Sequence, residues 1–280
     1  MEWISKVNME PKNFPHGSNL KTKIKNTSVD KLDAATSDLI SEYKKFYNDG
    51  FDYLSGSVTF DNFVQSLNLY YDYCQNKSKI NFVHQSDFYS SIIPEFLRVT
   101  ITELLQTNNL LHSIELSTQA DITIEMNFDS INGGDLIEKK KRMDLAAYLP
   151  KSLTFEAKDR GFIIPIICFE VKTNLDKNMI SGVETNSQTL KRTFPRCRYY
   201  LIAEYSDFDV KAQNYASTNI DEIIILRQQT RGEKRRLNKM NDISSSLLNE
   251  LMIDVEGCIK SISSRNNTLS NRMRYGRLSR

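Results

Sequence analysis

Twelve residues near the middle of the chain, Phe162-Ile-Ile-Pro-Ile-Ile-Cys-Phe-Glu-Val-Lys-Thr173, constrain the fold more than any other stretch. A nearly continuous apolar run, interrupted only by Pro165 and closed by an acid and a base two positions apart, reads as a core strand. Side chains alternate along a strand, so Glu170 and Lys172 share one face and Val171 takes the other. A carboxylate and an ammonium thus project together from the end of a buried strand. An unpartnered carboxylate is expensive to bury there and needs a reason.

The rest of the chain can supply the layers that bury such a strand. At 280 residues, with 40% hydrophobic and 26% charged residues, it can form one large domain or two ordinary ones. Ten Gly and six Pro exclude a collagenous or low-complexity protein, and 10% aromatic content argues against extended disorder. No apolar run approaches the roughly 18 residues of a membrane span. The first residues, Met1-Glu-Trp-Ile-Ser-Lys, lack the pattern of a signal peptide, so the expected compartment is cytoplasmic. Cys74, Cys168, Cys197 and Cys258 contain no Cys-x-x-Cys pair and read as reduced core residues.

Periodicity places the other elements. Residues 1–27, with Pro11 and Pro15, show no clear period and read as an extended or mobile arm. Residues 28–53 are amphipathic, and Thr59 can cap a helix with Phe60, Phe63, Val64, Leu67, Tyr70, Tyr71 and Cys74 on one face. A third helix begins near Ser91 with Pro94 in its first turn. From Asp121 to Phe128 apolar and polar residues alternate as in a half-buried strand, and Asn132-Gly133-Gly134 marks a turn. Residues 143–149, 162–173, 199–203 and 220–226 are further strands, a helix spans 178–193, and an amphipathic helix spans 244–262. Strand, hairpin, strand, helix, strand is an α/β order.

Asp144 interrupts the apolar strand at 143–149. If that strand pairs with the one ending in Glu170, the two carboxylates face one another. Such a pair suits Mg²⁺, which takes one or two carboxylates plus substrate phosphates. Lys172 could then orient the attacking water or balance charge on the phosphorane-like transition state, and the implied reaction is metal-assisted phosphodiester hydrolysis. Spacing alone is not specific: Glu10-Pro-Lys12, Glu42-Tyr-Lys44, Glu138-Lys-Lys140, Glu156-Ala-Lys158 and Asp209-Val-Lys211 share it. Only Glu156-Ala157-Lys158 also follows a strand, a weaker one. The plainer reading of Glu170 and Lys172 is a charged pair emerging at a strand end.

Asp144 followed by Glu170-Val-Lys172 resembles the PD-(D/E)XK nuclease motif. The segments Ser91-Ile-Ile-Pro-Glu-Phe-Leu97, Glu170-Val-Lys-Thr-Asn-Leu-Asp-Lys-Asn178, Leu190-Lys-Arg-Thr-Phe-Pro195 and Ile220-Asp-Glu-Ile-Ile-Ile-Leu-Arg227 narrow the likeness to type II restriction endonucleases of the BbvCI and DdeI group. The likeness runs from about residue 85 to 236, and it departs from the motif in having Met143, not proline, before Asp144. It implies an α/β fold with a central mixed sheet flanked by helices and a mainly helical N-terminal region. The expected division is an arm at 1–27, a helical region open to DNA recognition at 28–84, a nuclease core at 85–240 and a C-terminal helix with basic tail at 241–280.

By the same resemblance the chain is a Mg²⁺-dependent endonuclease that cuts double-stranded DNA at a short sequence and leaves 5′-phosphate ends. Asp144, Glu170 and Val171 form the metal set, Lys172 serves the nucleophilic water, and Glu95 matches a position that often supplies a further carboxylate. A carboxylate favoured by the helix dipole is the competing reading of Glu95. One chain carries one such set and a double-strand break needs two, so a second nuclease subunit, identical or different, is the expected partner, with a modification methyltransferase in the same cell. A DNA-binding partner subunit without cutting activity, or a less specific defence or repair nuclease, are the competing readings. Two retained carboxylates argue against the former, because without a metal they repel phosphate.

Charge adds candidate contacts. The net charge is +2, but from Arg227 to Arg280 twelve Lys and Arg face five Asp and Glu. Arg227, Gln228 and Gln229, followed by Arg231, Lys234, Arg235 and Arg236, combine groups that read base edges with phosphate binders and read as a DNA-contacting loop. Lys191 and Arg192 behind the site are further phosphate candidates, or solvate a helix end. His16, His84 and His112 show no ligand spacing.

Overall fold

A computed structural model describes residues 13–25, 34–75, 86–129, 135–155, 158–208 and 218–263. Five helices come first: α1 (Pro15–Lys25), α2 (Ala34–Leu54), α3 (Phe60–Gln75), α4 (Ser86–Ser90) and α5 (Ile92–Thr107). Three long strands follow, β1 (Glu115–Asp129), β2 (Asp135–Phe155) and β3 (Lys158–Leu175), then α6 (Lys177–Thr193), β4 (Arg198–Ser206), β5 (Glu222–Ile225), α7 (Arg231–Leu237) and α8 (Ser245–Ser263).

The strands lie in sequence order in one mixed sheet. β1, β2 and β3 pair antiparallel through two hairpins, whereas β3, β4 and β5 are parallel. A parallel pair needs a crossover, and α6 supplies it between β3 and β4. α6 starts on Asp176, whose side chain accepts from the Met179 N–H at 2.8 Å, and ends with Lys191 and Arg192 in its last turn, favourable at the negative end of the helix dipole.

Both faces of the sheet are covered, which is what the apolar run in β3 requires. On one face Ile167, Phe169, Val171, Tyr200 and Ile202 pack against α2, α3, α5 and α8, in a core rich in aromatic contacts such as Phe63 with Phe96 at 4.7 Å and Phe169 with Tyr200 at 5.1 Å. On the other face Cys168, Tyr199, Leu201 and Ala203 pack against Val183 and Leu190 of α6. All four cysteines are reduced, and the Cys168 and Cys197 sulfurs lie 3.7 Å apart in the α6-side core.

Three expectations need correction. Residues 15–25 are a helix, not an extended arm: Pro15 occupies its first position, where a missing N–H is harmless, and Phe14, His16 and Leu20 are buried. In β1 the alternation stops early. The register with β2 shifts between Thr123 and Glu125, so Ile122 and Ile124 are buried but Met126 is exposed. The stretch after β5 is not a loop throughout, since α7 begins on a reciprocal cap in which Thr230 and Glu233 satisfy one another's backbone N–H groups. The Asn132-Gly133-Gly134 turn and Glu156 of the competing triplet lie outside the described residues.

Candidate active site

β2 and β3 pair with Leu145 opposite Phe169, which brings Asp144 beside the end of the apolar run. The Val171 N–H donates to Asp144 Oδ2 at 2.7 Å. Glu170 is buried, with Lys172 Nζ 3.0 Å from its Oε1 and the Tyr199 hydroxyl donating to its Oε2. Asp144, Glu170 and Lys172 are therefore neighbours on one hairpin. Lys172 stays about one-third exposed, so the cluster opens to solvent on the lysine side.

The two carboxylates are tuned in opposite directions. Burial raises the Asp144 carboxyl above its ordinary range, against the Val171 N–H and the charge of Lys172. Burial also works against the charge on Glu170, but the Tyr199 hydroxyl and the Lys172 ammonium outweigh it and hold that carboxyl below its ordinary range. Lys141 adds positive potential at both groups. It lies opposite Ile122 of the α6-side core, and cross-strand partners share a face, so Lys141 stands on the same side of the sheet as Tyr199.

Tyr199 was not legible as a site residue. It sits opposite Cys168 on the parallel neighbour β4, and strand order, which one sequence does not reveal, decides that contact. Val171 offers a ligand only main-chain atoms. Among the described residues no group of three or more His, Cys, Asp or Glu converges on one point. The carboxylate pair still fits a divalent ion of the Mg²⁺ kind, which completes its shell from water and phosphate.

Glu95 belongs elsewhere. Its Oε2 accepts the His16 and Gly17 N–H groups at 2.9 and 3.1 Å, and its Oε1 accepts the Tyr43 hydroxyl at 2.7 Å, all within the helical layer. Burial there pushes its carboxyl up to about 7 despite those donors. His16 bonds the Phe88 carbonyl, Ser91 and Tyr70, and burial drives its imidazole down to about 3, so it is held neutral.

The basic candidates separate by burial. Arg227 is 0% exposed and spans Glu204 Oε1 at 2.6 Å, Asp72 Oδ1 at 2.6 Å and the Asn241 carbonyl at 2.6 Å. This arrangement makes it an interior brace with no face turned to a ligand. Gln229 is likewise buried, bonded to the Lys239 carbonyl and the Asn241 N–H. Gln228 is exposed in the left-handed region at φ 48°, and Arg235 and Arg236 are exposed on α7. Arg231 is half-buried and pairs with Asp207 at 3.0 Å. Lys191 pairs with Asp221 at 2.5 Å, whereas Arg192 is exposed.

Residues 85–245, which include the whole carboxylate and lysine cluster, match the family model for the Bpu10I restriction endonuclease. Among solved structures the chain is similar to the native BbvCI A2B2 tetramer at low resolution, with a TM-score of 0.66 and 24% identity over 90% of this chain and 96% of that one. No curated protein matches the chain. Among the described residues no helix is long and apolar enough to cross a membrane.

Proposed function

Because the chain belongs to the Bpu10I restriction endonuclease family, and is a nuclease by that membership, we propose that it hydrolyses phosphodiester bonds of double-stranded DNA at a short specific sequence, depends on Mg²⁺ and leaves 5′-phosphate ends. The observation that carries this reading is the meeting of Asp144, Glu170 and Lys172 on one hairpin inside the matched segment.

In the proposed mechanism Asp144 and Glu170 would hold the metal, with the main chain of Val171 beside them. When bound, the ion would supply Lewis acidity and offset charge on the phosphate. Lys172, anchored on Glu170 Oε1, directs its remaining N–H groups at the attacking water and the phosphate oxygens. Tyr199 fixes the rotamer of Glu170 and keeps it ionised. One water is consumed: its oxygen ends on the 5′-phosphate and a proton ends on the released 3′-oxygen. Exposed Arg192, Gln228, Arg235 and Arg236, with Arg231 and Lys191 freed from their surface pairs, are the proposed DNA contacts.

Among the described residues each chain holds one such cluster, so a double-strand break takes two. The BbvCI protein similar to this chain is an A2B2 tetramer, and we assign this chain the role of one subunit in a paired enzyme acting on cytoplasmic DNA. The test is incubation of the purified protein with supercoiled plasmid and with large mixed-sequence DNA, with and without Mg²⁺, alongside Lys172→Ala and Glu156→Ala. Discrete Mg²⁺-dependent fragments or site-specific nicks, lost in Lys172→Ala and kept in Glu156→Ala, are expected. Absence of cutting under every condition, or loss in Glu156→Ala alone, overturns the proposal.

A further inference from the structure

A cleft of about 640 Å³ opens at the carboxyl ends of the parallel strands β3 and β4, where open α/β sheets place their ligands. Thr173 and Asn174, which line it, directly follow Lys172, and Asn174 pairs in register with Tyr205 on the cleft's other strand. Further walls come from Gln75, Lys234, Arg235 and Lys239.

One wall is already braced. Lys234 Nζ donates to Gln75 Oε1 at 2.6 Å and stands 4.6 Å from the centre of the Tyr205 ring, and Gln75 Nε2 donates to Glu204 Oε1 at 2.5 Å. Through Arg227 the same carboxylate is tied to Asp72 of α3, so α7 is fixed to both the sheet and the helical layer. The other groups are uncommitted. Among the described residues Arg235 and Lys239 form no ion pair, and Asn174 Oδ1 is shielded from solvent without a hydrogen-bond donor. An unmet acceptor of this kind carries a penalty that a ligand donor relieves.

We infer that this cleft reads one base of the DNA beside the cut, with Asn174 bonding the base edge and Arg235 and Lys239 holding the backbone of the same strand. The inference rests on the nuclease reading for its choice of DNA. A carboxamide offers a donor and an acceptor side by side, which matches the N6 and N7 edge of adenine, and the two cations match phosphates. The position two residues past Lys172, on the same face of the strand, places base reading next to the chemistry.

The experiment selects bound duplexes from a randomised DNA pool with metal-free protein, comparing the natural chain, Asn174→Ala and the double variant Arg235→Ala/Lys239→Ala. Asn174→Ala is expected to relax one position of the selected motif by roughly five- to hundredfold. The double variant should keep the motif, bind every sequence more weakly and lower the salt slope by about 2. Should Asn174→Ala fail to fold, Asn174→Asp replaces it, with the preference moving towards cytosine, whose N4 donates to a carboxylate. A motif unchanged in the Asn174 variants, an unchanged salt slope in the double variant, or no motif with the natural chain overturns the inference. Failure of Mg²⁺-dependent plasmid cutting, with the motif and its relaxation intact, overturns the nuclease reading alone.

Discussion

The main-chain N–H of Val171 donates to Asp144 Oδ2 at 2.7 Å, so the residue between the acid and the lysine of β3 positions the acid of β2. That spot calls for an acceptor for alignment and, in the proposed mechanism, a charge for the metal. Asp144→Asn separates the two, because its amide oxygen can still take the Val171 N–H. Plasmid cleavage is expected to fall by at least about a hundredfold, beyond what loss of a supporting group causes. The metal-free protein should melt no lower than the natural chain, since burial disfavours the charged form of Asp144.

Tyr199→Phe tests the other carboxylate. Without the hydroxyl, burial of Glu170 is less well opposed and its carboxyl rises. Cleavage is expected to drop roughly tenfold on the acid side of the pH profile, in line with a charge-assisted hydrogen bond of about 1.5–3 kcal/mol, and to recover towards alkaline pH. Because the folded carboxyl lies below its unfolded value, the stability it contributes is present at neutral pH and lost as pH falls through the folded value. A profile that keeps its acid limb in place in Tyr199→Phe would falsify this coupling.

Glu95 gives a pH signature of opposite sign. Its carboxyl rises from 4.5 to about 7 on folding, so stability present below the unfolded value is lost as pH climbs through about 7. Glu95→Gln can point its oxygen at the His16 and Gly17 N–H groups and its NH₂ at the Tyr43 oxygen. Denaturant melts from pH 5 to 8 should show a variant advantage that grows with pH to at most about 3 kcal/mol. DNA cutting should persist, which separates Glu95 from the site on the sheet.

Arg227 distinguishes a brace from a contact. Arg227→Met leaves Glu204 and Asp72 without their cation and is expected to cost about 3–5 kcal/mol in urea unfolding, whereas Arg227→Met/Glu204→Leu recovers much of it. A DNA contact would behave differently: affinity would fall with stability unchanged.

How far each of these features could be read from one sequence depends on the distance over which it is decided. The apolar run of β3, its acid and lysine, and the capped α6 are local patterns, and the structure has them where periodicity and spacing put them. The helix α1 escaped because its buried set is small and includes His16, a polar side chain accommodated only by Phe88, Ser91 and Tyr70 far along the chain. Arg227 looked like one cation among several, and its burial is settled by Glu204 and Asp72 on other elements. Thr230-Arg-Gly-Glu233, by contrast, was a readable helix start in plain view.

The proposed reacting groups from Asp144 to Lys172 lie on a single antiparallel ribbon, the β2 and β3 hairpin, and their mutual contacts close within it. Contacts of such short chain separation cost less loop-closure entropy than pairings between distant segments. The α7 cleft and the helical layer hang from other parts of the chain. Under the proposed mechanism, substitutions in those outer elements alter what is recognised and leave the ribbon that carries the chemistry untouched.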